Sequence, residues 1–439
     1  MCAVSAVLIL SSLSTVNFAQ ASASSALFKI VGHLSLPQGY TVTIPANPTY
    51  IPNVNTIYLF ATKNNTTYFL ALSGTTGKII AKIAFSASTN FIYDPTDSRL
   101  FVGQAGTWII GISAKTNKVV ANITAPDRVY SLAYDNYNNK VYAITSDTYV
   151  DTFSAATGAF KGRILVMTPG TGSTNSIVYD FKNYDVYVDY FVTNSMFPIG
   201  IERVAVIPSN SLTVSKNMNA PDVNVTSSEY PFSSQGGYLI FDGTTNVLID
   251  TQPSTICTSE PFGGYDAFNT TTNTIISSMS STASTAGQDA SHYDAGRQSD
   301  WGNYVIATSN PSGCGEGATP SSFENSVNSS VPGQAIPSIN PNKFWYEGCY
   351  DEVLSSPNFK ANFAQCQSYN PNTLEPEGPP HLDILSTING SLLARITYPS
   401  VAVNGQKTYY TLLPFGDNAV RNIEYALGEG TGTIYEISA

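Results

Sequence analysis

Self-similarity at a spacing of about 40 residues constrains this chain more than any other feature of its sequence. The run Thr76-Gly77-Lys78-Ile79-Ile80-Ala81-Lys82-Ile83 returns as Thr116-Asn117-Lys118-Val119-Val120-Ala121-Asn122-Ile123, 40 positions later. A third copy, Thr157-Gly158-Ala159-Phe160-Lys161-Gly162-Arg163-Ile164, starts 41 positions after that. Related turns precede apolar strands at Thr245-Asn246-Val247-Leu248-Ile249 and at Asn389-Gly390-Ser391-Leu392-Leu393-Ala394-Arg395-Ile396. Such pairs ahead of alternating apolar residues mark tight hairpins, because the turn needs residues tolerant of positive φ.

A second hairpin precedes each of these. Ile92-Tyr93-Asp94 leads through a polar turn to Leu100-Phe101-Val102, Ala133-Tyr134-Asp135 to Val141-Tyr142-Ala143, and Val178-Tyr179-Asp180 to Val186-Tyr187-Val188. Ala267-Phe268-Asn269 with Thr274-Ile275-Ile276 reads as a further copy of this element. Each period then holds four short strands, the content of one propeller blade. A solenoid is the competing architecture, and the termini argue against it. Ile423–Leu427 and Thr433–Ser438 read as second and third strands with no fourth, while Phe28–Leu34 reads as a fourth strand with no blade before it. The expectation is an all-β propeller over 27–439, closed by its N-terminal strand so that no edge is left open.

These copies resemble the YVTN β-propeller repeat family, whose pattern is a strand, an Asp-rich turn, a Val-Tyr-Val strand, a third strand and then Thr-Gly-Lys-Val-Val. The match is good over 50–217, patchy over 218–265 and interrupted beyond. The count is seven blades, with six as the alternative, because the fifth shows only its second hairpin. The resemblance implies the fold and an extracellular or surface setting. It carries no common reaction and no catalytic residues.

Blade six reads as split: its first hairpin ends near Met279 and its third strand starts at Leu382, so 280–380 reads as a loop-rich insertion. It links second and third strands and so emerges on the face that carries the links between blades. Loops on a rigid scaffold commonly carry binding, and Tyr293, Trp301, Trp345 and Tyr346 are candidate sugar-stacking rings there. The competing reading is a decoration that only shields the ring, with these aromatics as its own small core.

Residues Ala3 to Val16 form an apolar stretch too short to span a bilayer, followed by the small-x-small site Ala19-Gln20-Ala21; 1–21 reads as a secretory signal with no transmembrane anchor after it. Beyond Cys2, four cysteines remain, Cys257, Cys314, Cys349 and Cys366, with three pairings open. They lack metal-ligand spacing and read as two disulfides. Sequons stand at Asn64, Asn65, Asn122, Asn224, Asn269, Asn328 and Asn389, so the exported chain is expected to carry N-glycans.

The charge balance narrows the partners. A net charge of −11 and no basic cluster exclude a nucleic-acid role. Charged residues are only 12% of the chain, so self-repulsion stays small in acid, which suits tolerance of low pH. Three histidines, His33, His292 and His381, are too few for a multi-histidine copper or zinc centre, and no cofactor motif is present. No catalytic site is assigned. The weak acid–base candidates are Asp289, His292 and Asp294, and short polar runs in loops usually just face water. The leading expectation is a secreted noncatalytic surface or matrix glycoprotein that contacts copies of itself, other surface proteins or glycans, as a scaffold, an adhesin or a subunit of a filament, sheath or surface layer. Alternatives are an exported acid-tolerant hydrolase or lyase with its site at the channel mouth under the insertion, and a carbohydrate-binding module.

Overall fold

A computed structural model of the chain describes residues 28–42, 48–85, 88–104, 106–146, 148–194, 197–219, 238–242, 246–252, 264–280, 288–289, 304–309, 325–328, 347–356, 359–368, 378–386, 392–403, 406–410, 412–428 and 432–438. The signal segment, Cys257, Cys314, His292, Asp294, Tyr293, Trp301, Trp345, Tyr346, Asn224 and Asn389 lie outside the described residues. The chain is almost all β, in antiparallel four-stranded sheets that follow one another along the sequence.

Sheet one is Thr49–Ile51, Thr56–Lys63, Thr66–Ser73 and Ile79–Phe85, with Thr41–Val42 added beside its second strand. Sheet two is Ser88–Asp94, Arg99–Gln104, Trp108–Ser113 and Lys118–Thr124; sheet three is Ser131–Asp135, Lys140–Ser146, Tyr149–Ser154 and Phe160–Leu165. Sheet four is Gly172–Asp180, Asp185–Asn194, Phe197–Pro208 and Lys216–Asn219; sheet five is Tyr238–Asp242, Val247–Gln252, Gly264–Asn269 and Thr274–Ser280. Sheet six is Glu347–Ser356, Ala361–Ser368, His381–Ser386 and Leu392–Thr397. Sheet seven is Leu412–Asn418, Ile423–Gly428 and Thr433–Ser438, completed by the N-terminal strand Lys29–Ser35. The expected closure is therefore present, with Lys29 opposite Ser438 and Leu34 opposite Ile434.

One backbone feature recurs in all seven sheets. A residue with positive φ stands immediately before each second strand: Asn55, Ser98, Asn139, Tyr184, Asn246, Lys360 and Asn422. Several turns into the fourth strand use the same device, at Gly77, Asn117, Gly158 and Asn273. In three of them the N–H of that residue closes onto the end of the third strand, on the oxygens of Ser73, Ser113 and Ser154. Glycine at 158 has a second cause: a Cβ there would stand 2.9 Å from Ile123 of the preceding sheet.

The shared turn chemistry explains where the sequence reading slips. Asn246 stands in the turn from first to second strand of sheet five, so the run that starts at Val247 is a second strand and not a fourth. Ala267-Phe268-Asn269 and Thr274-Ile275-Ile276 are third and fourth strands of that same sheet, not the start of the next. In sheet five both hairpins place an Asn before an apolar strand, Asn246 and Asn273, so a short window does not tell inner from outer. The boundary of the expected insertion moves accordingly. Glu347–Ser356 and Ala361–Ser368, inside the 280–380 segment, are the first two strands of sheet six, which leaves 281–346 between sheets five and six. That stretch contributes Gln288–Asp289, Tyr304–Ser309 and Asn325–Asn328 as a small three-stranded sheet. Tyr304–Ser309 lies beside Glu347–Ser356 and Gln288–Asp289 beside Val247–Gln252, so this sheet sits between its neighbours rather than only over a rim.

The hydrophobic core is divided among the spaces between successive sheets. Tyr142, Ile144 and Val150 of sheet three meet Tyr179, Val188 and Ala205 of sheet four; Val178, Tyr187 and Val206 meet Leu239, Leu248 and Phe268 of sheet five. Sheets six and seven meet through Phe363, Ile384, Leu412 and Ala426, and seven meets one through Leu413, Tyr425, Ile57 and Leu70. Inner strands such as Thr56–Lys63, Ser131–Asp135 and Ile423–Gly428 are buried on both faces and read as near-continuous apolar runs for that reason, whereas outer strands such as Lys118–Thr124 are largely exposed.

Candidate functional site: the turn face of sheets three and four

Five of the buried aspartates hold turns or strands. Asp94, Asp135 and Asp180, all fully buried, close the first strand of their sheets by accepting two backbone N–H groups each, from residues two and three further on. Asp151 on a third strand is gripped by Arg163 on the fourth, Nε to Oδ1 at 2.7 Å and Nη2 to Oδ2 at 2.9 Å, and accepts from Thr145 Oγ1 at 2.6 Å. These bonds to Asp151 hold the Arg163 guanidinium well above its ordinary range. Asp383 and Arg395 repeat the arrangement in sheet six at 2.7 and 2.6 Å, and His381 Nε2 lies 3.8 Å from Asp383. A bidentate arginine leaves the carboxylate little capacity to act as a base, so both pairs read as strand clamps. Asp250 and Asp266 stand opposite each other in sheet five, both buried. Among the described residues no group of three or more His, Cys, Asp or Glu is arranged to hold a metal ion.

Sheets are also latched to their neighbours by the third residue of the second strand. Tyr58 Oη donates to Asn117 Oδ1 of sheet two at 2.6 Å, Tyr142 Oη to Ser209 O beside sheet four at 2.9 Å, and Tyr187 Oη to Asn273 Oδ1 of sheet five at 2.7 Å. Sheet two has Phe101 at this position, and Arg99 supplies the bond instead, Nη1 to the oxygens of Ala155 and Ala156 at 2.7 Å each. Burial pushes the phenols of Tyr58, Tyr142 and Tyr187 far above their ordinary range. Tyr50, beside the closure, is pushed up to about 12, by burial first and by Tyr425 second.

The latched turns converge at the end of the ring that carries the first-to-second and third-to-fourth strand turns. Here two large rings stand in water. Tyr137, 68% exposed, and Tyr184, 44% exposed, belong to the corresponding turns of sheets three and four, and their ring centroids are 4.4 Å apart at 40°. Both turns are rigid: Asp135 accepts from the N–H of Tyr137, and Tyr184 N–H donates to Asp180 O at 2.9 Å. Tyr184 has φ of 61°, where the other six sheets carry Asn, Ser or Lys. Phe181 in the same turn points the other way, 5.6 Å from Phe241 of sheet five. Asn136 and Lys182 are exposed in the same two turns, and Asn210 is exposed next to Ser209, whose N–H donates to Tyr184 O at 2.9 Å. Asp185, next to Tyr184, is pushed above the usual carboxylate range by burial and by Asp180, against a lowering bond from Asn273.

Those residues singled out from sequence that fall among the described residues lie in different sheets and turns. His33 is exposed on the closing strand and His381 is buried in sheet six. Asp289 is paired with Thr308 in the small sheet. Asn64 and Asn65 form a turn with φ of 51° and 60°, and Asn122 is exposed on an outer strand. Asn269 accepts from the N–H groups of Thr271 and Thr272, standing in its turn as the aspartates do in theirs. Cys349 and Cys366 are direct cross-strand partners on the first two strands of sheet six. The sequence reading missed the Tyr137–Tyr184 pair; an aromatic in a slot otherwise held by turn formers was the available signal.

The fold defines the class, a β-propeller, and comparison with solved structures agrees. The chain is similar to the Dos1 propeller, with a TM-score of 0.56 and 10% identity over 94% of this chain and 95% of that one. It is similar to BamB from Moraxella catarrhalis, at 0.52 and 11% identity over 94% and 100%, and to the computationally designed Ika8 protein, at 0.52 and 14% over 93% and 100%. No family model and no curated relative matches the sequence. Likeness at these identities speaks for the fold alone.

Proposed function

We propose that this protein is an exported, noncatalytic surface or matrix scaffold: a YVTN-type propeller of seven repeat blades, with the small 288–328 sheet filling the space between blades five and six. The observation that carries the reading is how the buried polar groups are used. The strand-end aspartates cap turns, Asp151 and Asp383 are clamped by arginines, and the tyrosines latch one sheet to the next. Such a ring is built to keep its shape. The low share of charge, the signal-like 1–21 segment and the sequons at Asn64, Asn65, Asn122, Asn224, Asn269, Asn328 and Asn389 favour a glycosylated protein outside the cell. Two disulfides are part of the proposal. The cross-strand register of Cys349 and Cys366 favours that pairing and leaves Cys257 for Cys314.

The 281–346 segment is the proposed contact with a neighbouring copy or another surface protein, because it is the long departure from the repeat. Imaging native particles from cell surface and medium tests the scaffold reading. Ordered arrays that vanish when 281–346 is replaced by a short linker, with the ring still folded, are the expected result. Monomeric particles that turn over a small molecule, with loss of activity on substituting Asp289, His292 or Asp294, would establish the exported enzyme instead.

A further inference from the structure

We propose that Tyr137 and Tyr184 form a carbohydrate-binding platform that takes the apolar face of a neutral pyranose unit in a glycan. A non-glycine residue in the left-handed region costs about 1 kcal/mol, and least for Asn, whose short side chain bonds locally. Four of the seven sheets use Asn before the second strand and two use Ser or Lys; only sheet four spends a tyrosine there. The ring remains 44% exposed, so a large part of its surface is left unused by the fold. Strain held at an exposed aromatic points to a use for the ring outside the fold.

The two rings lean against each other, 4.4 Å apart at 40°, so each offers its outer face with a polar tip, the combination that meets the C–H face of a sugar while its hydroxyls are hydrogen-bonded at the rim. Asn136, Asn210 and Lys182 are exposed beside the two turns and supply donors and acceptors. Both turns are fixed by the buried caps Asp135 and Asp180, so little ordering is lost on binding. Other ligand classes fit less well. A phosphate or sulfate would find Lys182 as the single exposed cation of the two turns, on a chain of net charge −11. An apolar peptide would want a groove, whereas Phe181 turns inward to Phe241 and extends no apolar surface outward.

This inference rests on the reading of an exported glycoprotein but not on its contact segment, so its failure leaves the 281–346 contact standing. The test titrates the intact protein with tetrasaccharides of glucose, mannose and N-acetylglucosamine, using saturation-transfer NMR for contact and calorimetry for affinity. Binding by at least one, with transfer from tyrosine ring protons and a loss of about tenfold or more in Tyr137→Ala and Tyr184→Asn, is expected. Tyr184→Asn should also melt no lower than wild type, because it restores the residue the slot prefers. Failure of all three sugars to bind, unchanged affinity in both variants, or a lowered melting temperature in Tyr184→Asn would each overturn the proposal, the last by making the ring a structural part. A parallel arm distinguishes the source of the sugar. Self-association lost both on enzymatic deglycosylation and in Tyr137→Ala assigns the platform to a glycan of a neighbouring copy, and tetrasaccharide binding without self-association assigns it to a foreign glycan.

Discussion

Tyr425 Oη donates a 2.6 Å hydrogen bond to the backbone oxygen of Gly74, joining the last sheet of the chain to the first across 351 positions. Arg421 Nη1 reaches the same oxygen at 3.1 Å and Glu436 Oε1 at 2.7 Å, so the closing joint is tied twice. The bond is one more instance of the tyrosine latch that links the other sheets, here used to seal the ring.

Tyr425→Phe removes the latch and leaves Arg421 on Gly74. The expected cost is about 1 kcal/mol, the net worth of a typical buried hydrogen bond. Tyr425→Phe with Arg421→Ala should cost clearly more than the sum of the two, because the Gly74 carbonyl then loses both side-chain donors. Urea unfolding of the four proteins measures this, and strict additivity would show that the two groups act separately.

Deleting residues 27–36 takes away the strand Lys29–Ser35 and exposes Thr433–Ser438 as a free edge. Aggregation or failure to fold is the expected outcome, followed by light scattering and circular dichroism. A truncated protein as stable as the full-length chain would mean that the closing strand adds nothing to sheet seven.

Peptide mapping without reduction should recover Cys349 joined to Cys366, each disulfide stabilising by roughly 2 to 4 kcal/mol. Cross-strand neighbours already have a Cα separation within the range a disulfide spans. Free thiols at both positions in exported material would contradict the pairing and the proposed compartment together.

The half-buried Asp185 carboxyl is held above its ordinary value of 3.8. A carboxyl raised in the folded state binds its proton more tightly there than in the unfolded chain. Stability is then retained below that ordinary value and falls as pH climbs from it through the folded value. Asp185→Asn should therefore be more stable than wild type above this window and equal to it well below. Melting curves across pH 2 to 7, roughly the carboxylate range and beyond, check the sign; a variant less stable at neutral pH would refute it.

Glycopeptide masses from native protein should show glycan at Asn64 or Asn65, at Asn269 and at Asn389. Asn122 is the weaker acceptor of the set by its place within an outer strand, although its side chain is exposed. All seven sequons bare would remove this support for a surface role.

Much of the fold is legible in the sequence because it is written locally and repeatedly. A positive-φ residue before an apolar strand, an aspartate at the end of the first strand and a tyrosine two positions into the second each recur at about 40 residues, and each does its work within a few residues of itself. The same repetition hides the phase: Asn246 and Asn273 look alike in a window of five residues, and only strand pairing shows that they begin the second and fourth strands of one sheet. Closure, too, follows from a missing strand at one end and a spare one at the other. What the sequence leaves open is which residues of successive repeats meet. Tyr137 and Tyr184 are 47 positions apart with nothing local to join them, and Cys349 has three other cysteines beyond the 1–21 segment to choose from. Rotation of each sheet against the next brings the two rings to 4.4 Å, and the register of two strands sets Cys349 opposite Cys366. Those are properties of packing between elements, and packing is where distant residues acquire neighbours.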